Sequence, residues 1–252
     1  VQVTIVLPAR NEADNLSEIL PEIARAWAAR GPAHEIVVVD DGSRDETAVL
    51  VQELGGMIPS LRLIRLGRPL GKSAALHAGI SAARGEWIAT MDADGQNDPA
   101  ELLSMWSYAT RTINDKPILV IGRRVVREDG AVNRITSGLS NRLAAFVMRH
   151  EIHDVACGML VFRAKDYSRV HVFDNMHRFM PTLFIMMGGS VRSVPVREFP
   201  RRHGISHYGT WDRAHAGALD LAGVWWLRRR SRGVNGVFSS PDSFKAKQAR
   251  NG

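Results

Sequence analysis

The stretch "EWIATMDADGQNDP", residues 86–99, joins an apolar run to a loop carrying three carboxylates within seven positions, Asp92, Asp94 and Asp98. Like charges this close repel, so the loop calls for full solvation or a cation. The question sharpens in a chain with 33 Lys and Arg against 26 Asp and Glu, net +7. The apolar run reads as a buried strand, and the Asp-Pro pair as a helix start with Asp98 as N-cap before "PAELLSMW". Asp92 and Asp94, one residue apart at a strand tip, can point into one crevice. There they suit a divalent ion such as Mg²⁺ or Mn²⁺ that also bridges a diphosphate, with Gln96 as a further oxygen donor.

Upstream, the same alternation repeats. "VTIVLP" (3–8), "EIVVVDD" (35–41) and "LRLIRL" (61–66) are short and β-branched, and helical periods separate them at 15–29, 46–55 and 71–83. These are βαβ units on a parallel sheet. Each strand runs into a polar cluster, "PARNE", "DDGSRD", "GRPLGKS" or "DADGQND", and that edge of an open α/β sheet binds ligands. Asp40 at the second tip can accept hydrogen bonds from a ribose or base. Asp41, Ser43 and Asp45 read as turn and cap residues, and Pro8 and Glu12 lie along the same edge.

Downstream, "PILVIGRR", "GMLVFRA" and "SVRSVPVREF" read as further strands, and 133–150 as a helix. With no internal repeat and no clean linker, one domain is expected over 1–230, with a donor half at 1–110 and an acceptor half at 111–230. From 231 the periodicity ends, which predicts a flexible tail.

Several classes fall away. The single cysteine, Cys157, excludes an internal disulfide. No run approaches the roughly 20 apolar residues of a spanning helix. "GRPLGKS" places three residues, instead of four, between its first glycine and Gly-Lys-Ser, so it is not a P-loop. "DADGQNDPAELL" has Leu103 where a calcium loop needs a bidentate Glu.

The ordered set "LPARNEADNL", "VVVDDGSRDET", "GKSAALHAGISAARGEWIATMDADGQNDP", "VACGMLVFR" and "RRHGISHYG" resembles the family 2 glycosyltransferases. Within them it is most similar to the branch of dolichyl-phosphate mannose synthase and its bacterial polyprenyl-phosphate relatives. The resemblance implies a GT-A type, Rossmann-like mixed sheet flanked by helices. It also implies a UDP- or GDP-linked sugar donor, a divalent metal, a polyprenyl phosphate acceptor and inversion at the anomeric carbon, with a hexose or N-acetylhexosamine transferred. Residue by residue, it sets the nucleoside against Pro8, Arg10, Glu12 and Asp40, with Lys72 near the donor. The diphosphate and metal then fall to Asp92, Asp94 and Gln96. Arg10 stands where many relatives carry an aromatic that stacks on the base. Arg124, Arg134, Ser137, Arg201 and Ser206 would hold the acceptor phosphate, since a guanidinium offers a planar fork to its oxygens. Asp154 would serve as base or orient sugar hydroxyls, and His207 replaces a lysine of the last motif.

Membrane contact is expected without a span, at the cytoplasmic face. In "LDLAGVWWLRRR" (219–230), Trp225 and Trp226 precede three arginines, a pattern suited to a headgroup layer. A core-packed helix with a basic last turn is the other reading. Two functional alternatives accompany the main one: a same-fold enzyme using a sugar hydroxyl acceptor, and a basic nucleic-acid binder. The second predicts salt-sensitive binding, yet no nucleic-acid motif is present and acidic strand tips serve such a protein poorly.

Overall fold

The computed structural model describes residues 1–112, 116–124, 157–203, 223–226 and 229–230. Its first half follows the sequence pattern closely. Strand β1 (Val3–Ala9) leads to α1 (Ala13–Arg30), β2 (His34–Asp40) to α2 (Thr47–Gly55), β3 (Leu61–Arg65) to α3 (Lys72–Ser81), and β4 (Trp87–Thr90) to α4 (Pro99–Arg111). Then come β5 (Ile118–Arg124), β6 (Leu160–Arg163), a helical turn at Ala164–Tyr167, a 3₁₀ turn at Met176–Arg178, a helix at Met180–Met186, and β7 (Ser190–Val196). The expected helix at 133–150 and the tail at 231–252 lie outside the described residues.

Seven strands form one sheet in the order β3-β2-β1-β4-β6-β5-β7. The first four are mutually parallel, β6 runs antiparallel to both β4 and β5, and β7 pairs parallel with β5. The sheet is therefore mixed. Its parallel block carries the repeating βαβ signal, whereas the reversal at β6 follows a long connection that periodicity does not encode.

Alternate strand residues feed two cores. Val3, Ile5 and Leu7 of β1 and Ile36 and Val38 of β2 pack with Leu16, Ile19 and Trp27 of α1 and with Leu102 and Met105 of α4. Val6, Val37 and Val39 face the other way, onto Ala75, Leu76 and Ile80 of α3, and that layer continues through Phe162, Met176, Phe179, Phe184 and Val224. Gly79 lets α3 lie this close, because a Cβ there would stand 2.5 Å from Val6 Cγ1. The apolar run at 179–189 belongs to this second core. Among the described residues no helix is long and apolar enough to cross a membrane.

Asp98 caps α4 as expected: its Oδ1 accepts from Ala100 N at 2.8 Å, and Pro99 opens the helix. Val224 is buried, yet Trp225 and Trp226 are 44% and 56% exposed, with Arg229 and Arg230 stacked over their rings at 5.5 and 5.8 Å. The indoles thus face outward while Val224 of the same turn packs into the second core.

Candidate active site

The carboxyl ends of β1, β4 and β5 and the amino end of the antiparallel β6 open onto a cleft of about 750 Å³. β4 stops at Thr90, but Met91 N still donates to Val6 O at 3.2 Å, so the alternation persists past the strand. Ala93 is buried in the core, which turns its neighbours Asp92 and Asp94 into the cleft. Gly95, at φ 75°, then turns the chain toward α4.

Asp92 Oδ1 lies 2.6 Å from Lys72 Nζ. Gly71, at φ 92°, is the N-cap of α3, so Lys72 stands on the helix's first residue, aimed across the cleft. Beneath the carboxylate is Gly158: a Cβ there would meet the Asp92 carboxylate atoms at 2.4 to 2.5 Å. Asp94 Oδ2 accepts from Arg201 Nη2 at 3.0 Å, and Arg201 Nη1 is 3.7 Å from Glu12 Oε1. One guanidinium therefore spans two carboxylates from different loops.

These neighbours divide the acids. Burial pushes Asp92 up, but the Lys72 ammonium, with help from Arg201, more than reverses it and holds the carboxyl below its ordinary value. Burial and the Asp92 charge raise Asp94, and Arg201 offsets them only in part. Burial also raises Glu12, against a hydrogen bond from Asn15 Nδ2 at 2.5 Å. Asp92 is the acid most firmly ionised.

Pro8, Arg10, Glu12, Lys72, Asp92, Asp94, Gln96, Arg124 and Arg201 all line the cleft. Gln96 Nε2 donates to Phe199 O at 3.3 Å, and Phe199 N donates to Gln96 O at 2.9 Å. Arg124 is paired with Glu198 at 2.8 Å. Asp40 stands apart from the cleft lining: it is buried, its Oδ1 accepts from Ser43 N at 2.8 Å, and Arg65 is 3.7 Å from its Oδ2. Asp41 is the one that reaches the cleft, while also accepting from Leu70 N and Gly71 N at 2.6 and 2.9 Å. Arg134, Ser137, Asp154, Ser206 and His207 lie outside the described residues.

The segment after β7 closes one side. Arg202 donates to Glu18 and Glu22 of α1 at 2.9 to 3.0 Å, and His203 N donates to Asn15 Oδ1 at 3.1 Å. This strap brings Arg201 to the acids. On the opposite side, His177 and Arg178 also line the cleft, a pair that sequence reasoning passes over. Their signal was two polar residues held between the buried Met176 and Phe179. Ser73 Oγ lies 2.8 Å from His177 Nδ1. Burial, then Lys72 and Arg178, push His177 down to about 3, leaving a neutral ring.

Two oxygen-only side chains on one strand tip suit a hard divalent cation that takes its remaining ligands from phosphate and water. Among the described residues no group of three or more His, Cys, Asp or Glu gathers for a metal.

The profile of "Glycosyl transferase family 2" matches residues 4–170. The chain is 34% identical over 233 residues to a dodecaprenyl-phosphate galacturonate synthase of Rhizobium johnstonii, covering 91% of this chain and 68% of that protein. It is 31% identical over 210 residues to an undecaprenyl-phosphate 4-deoxy-4-formamido-L-arabinose transferase of Edwardsiella ictaluri, covering 82% of this chain and 63% of the relative. Most relatives of this kind are thus matched over somewhat under two thirds of their length. Among solved structures, mannosyl-3-phosphoglycerate synthase from Rubrobacter xylanophilus superposes with a TM-score of 0.69 at 20% identity, over 97% of this chain and 80% of that one. Glucosyl-3-phosphoglycerate synthase from Mycobacterium tuberculosis, crystallised with Mn²⁺, UDP and phosphoglyceric acid, gives 0.67 at 17% identity, over 90% and 78%.

Proposed function

The chain belongs to glycosyltransferase family 2, with a GT-A fold, and from that premise we propose that it moves a sugar from a nucleoside diphosphate to a polyprenyl phosphate, with inversion. The observation that carries this reading is the Asp92–Asp94 pair at the β4 tip, flanked by Lys72 and Arg201 in an open cleft. The two relatives named for polyprenyl-phosphate products support the acceptor.

Residues 1–110 form the donor half. Pro8, Arg10, Glu12 and Asp41 border the nucleoside, and Arg10 stacks on the base through its guanidinium. Asp40 acts indirectly, by fixing the turn that carries Asp41. Asp92 and Asp94, with Gln96 nearby, hold a Mg²⁺ or Mn²⁺ ion, which supplies charge compensation to the diphosphate when bound. Lys72 adds a cation at the same point.

Residues 111–230 form the acceptor half, and Arg124, Arg134, Ser137, Arg201 and Ser206 orient its phosphate. A phosphate monoester, with a second pKa near 6, is already largely dianionic at pH 7, so its oxygen needs no base. That oxygen bonds to the anomeric carbon as the carbon–oxygen bond to the nucleoside diphosphate breaks, and the bonding pair leaves with the diphosphate. Orientation and charge balance carry the rate. Asp154 then orients sugar hydroxyls. Trp225 and Trp226, with Arg229 and Arg230, rest on the cytoplasmic face of a membrane where the lipid acceptor lies.

The deciding experiment measures radiolabelled sugar passing from UDP- and GDP-linked donors into butanol-extractable lipid, with and without Mn²⁺. Transfer to undecaprenyl or dolichyl phosphate is the expected result. Transfer only to a hydroxyl acceptor would overturn it.

A further inference from the structure

Among the described residues five cationic side chains line the cleft: Arg10, Lys72, Arg124, Arg178 and Arg201. Three have carboxylate partners, Lys72 with Asp92 at 2.6 Å, Arg124 with Glu198 at 2.8 Å and Arg201 with Asp94 at 3.0 Å. Arg10 is exposed at the rim and solvated. Arg178 is half-buried, and among the described residues its guanidinium forms neither an ion pair nor a hydrogen bond, although its backbone N donates to Asn175 O at 3.0 Å.

Its position is fixed from both sides. Asn175, at φ 61°, starts the 3₁₀ turn, Met176 and Phe179 are 1% and 8% exposed in the core, and Ser73 Oγ anchors the adjoining His177 ring at 2.8 Å. A partly desolvated guanidinium without a counter-charge is unfavourable until a ligand brings one. Of the residues expected to grip the acceptor, the two that line the cleft among the described residues, Arg124 and Arg201, are already engaged by protein carboxylates.

We infer that Arg178, beside His177, forms a second anion subsite in the cleft, separate from the diphosphate's carboxylate tip, which takes a ligand oxyanion. Two sources share that chemistry: the phosphate monoester of the acceptor, and a carboxylate on the transferred sugar. The inference rests on the glycosyl-transfer reading above and narrows what the cleft accepts.

Arg178→Gln and Arg178→Lys test it on the full chain. Binding of farnesyl phosphate, the preference for UDP-galacturonate over UDP-galactose, and UDP affinity with Mn²⁺ are measured for each. Loss of a charge-assisted contact weakens one of the first two readouts about tenfold to a hundredfold in Arg178→Gln. Arg178→Lys keeps part of it, because a point charge remains without the fork. UDP–Mn²⁺ affinity stays within twofold. Weakened farnesyl phosphate binding assigns the subsite to the acceptor, and a lost uronate preference assigns it to the sugar. If Arg178→Gln leaves both within twofold, or weakens UDP–Mn²⁺ binding equally, there is no separate subsite. Wild-type protein that binds farnesyl phosphate through Arg178 yet transfers no sugar to any polyprenyl phosphate would overturn the functional reading instead.

Discussion

Lys72 Nζ sits 2.6 Å from Asp92 Oδ1, and this contact keeps a half-buried carboxyl ionised. Lys72→Met removes the main cation opposing burial and leaves weaker ones such as Arg201, so the Asp92 pKa rises. If donor and metal binding need ionised Asp92, the acid limb of the kcat/KM profile moves to higher pH. A profile that falls in height with its acid limb unmoved would separate Lys72 from this role.

Asp92→Asn and Asp94→Asn each remove one of the carboxylates assigned to the metal. Asp92→Asn is expected to lower turnover at least a hundredfold, in line with losing a charge placed at the reacting centre. Thermal stabilisation by the best nucleoside diphosphate plus Mn²⁺ should vanish in the double variant. Undiminished stabilisation there would rule out the metal bridge.

Gly158→Ala places a methyl where the Asp92 carboxylate now lies, at 2.4 to 2.5 Å. The carboxylate must shift, with a stability cost of about 1–3 kcal/mol typical of overpacking. Activity should fall more steeply than stability, because a displacement near 1 Å at the reacting centre costs about a hundredfold. Denaturant unfolding and steady-state kinetics on one preparation check the two separately.

His177 stays neutral in the fold down to about pH 3, while its ordinary value is 6.5. Between these values the unfolded chain binds more protons than the native one, so stability falls as pH drops from 6.5 toward 3. The slope is at most about 1.4 kcal/mol per pH unit. Urea unfolding at pH 7 and pH 5 should show a smaller loss in His177→Asn than in the wild type. Equal losses would mean that the ring titrates normally in the fold.

Arg202 fastens the strap to α1 through Glu18 and Glu22. Arg202→Ala should speed proteolysis near residue 203 and reduce turnover severalfold by loosening Arg201. The exposed ion pairs contribute little to global stability, so Tm should hardly move.

The parallel block was legible because buried strands and amphipathic helices impose different periods, and Asp98 was legible because Asp-Pro starts helices. The tip residues Asp92 and Asp94 lay in an acidic loop directly after such a strand, one residue apart, as a shared crevice requires. Asp40 and Asp41 were harder to separate. Both sit at the β2 end, and which one turns toward the cleft depends on the Ser43, Leu70 and Gly71 amides that each accepts from. The reversed β6 depends on pairings 70 residues and more from β4, which no local period records. Arg201 was marked as a phosphate ligand, yet its carboxylate partners come from loops more than 100 residues earlier.

That last arrangement bears on modularity. Glu12 and Asp94 belong to the segment that reads as a self-contained nucleotide-binding unit, but the cation that balances them arrives on the strap after β7. A fragment ending before that strap would keep its strands and lose its charge balance. The proposed donor half is thus not portable by itself, and grafting it onto another acceptor half requires carrying the Arg201 strap and its α1 anchor together.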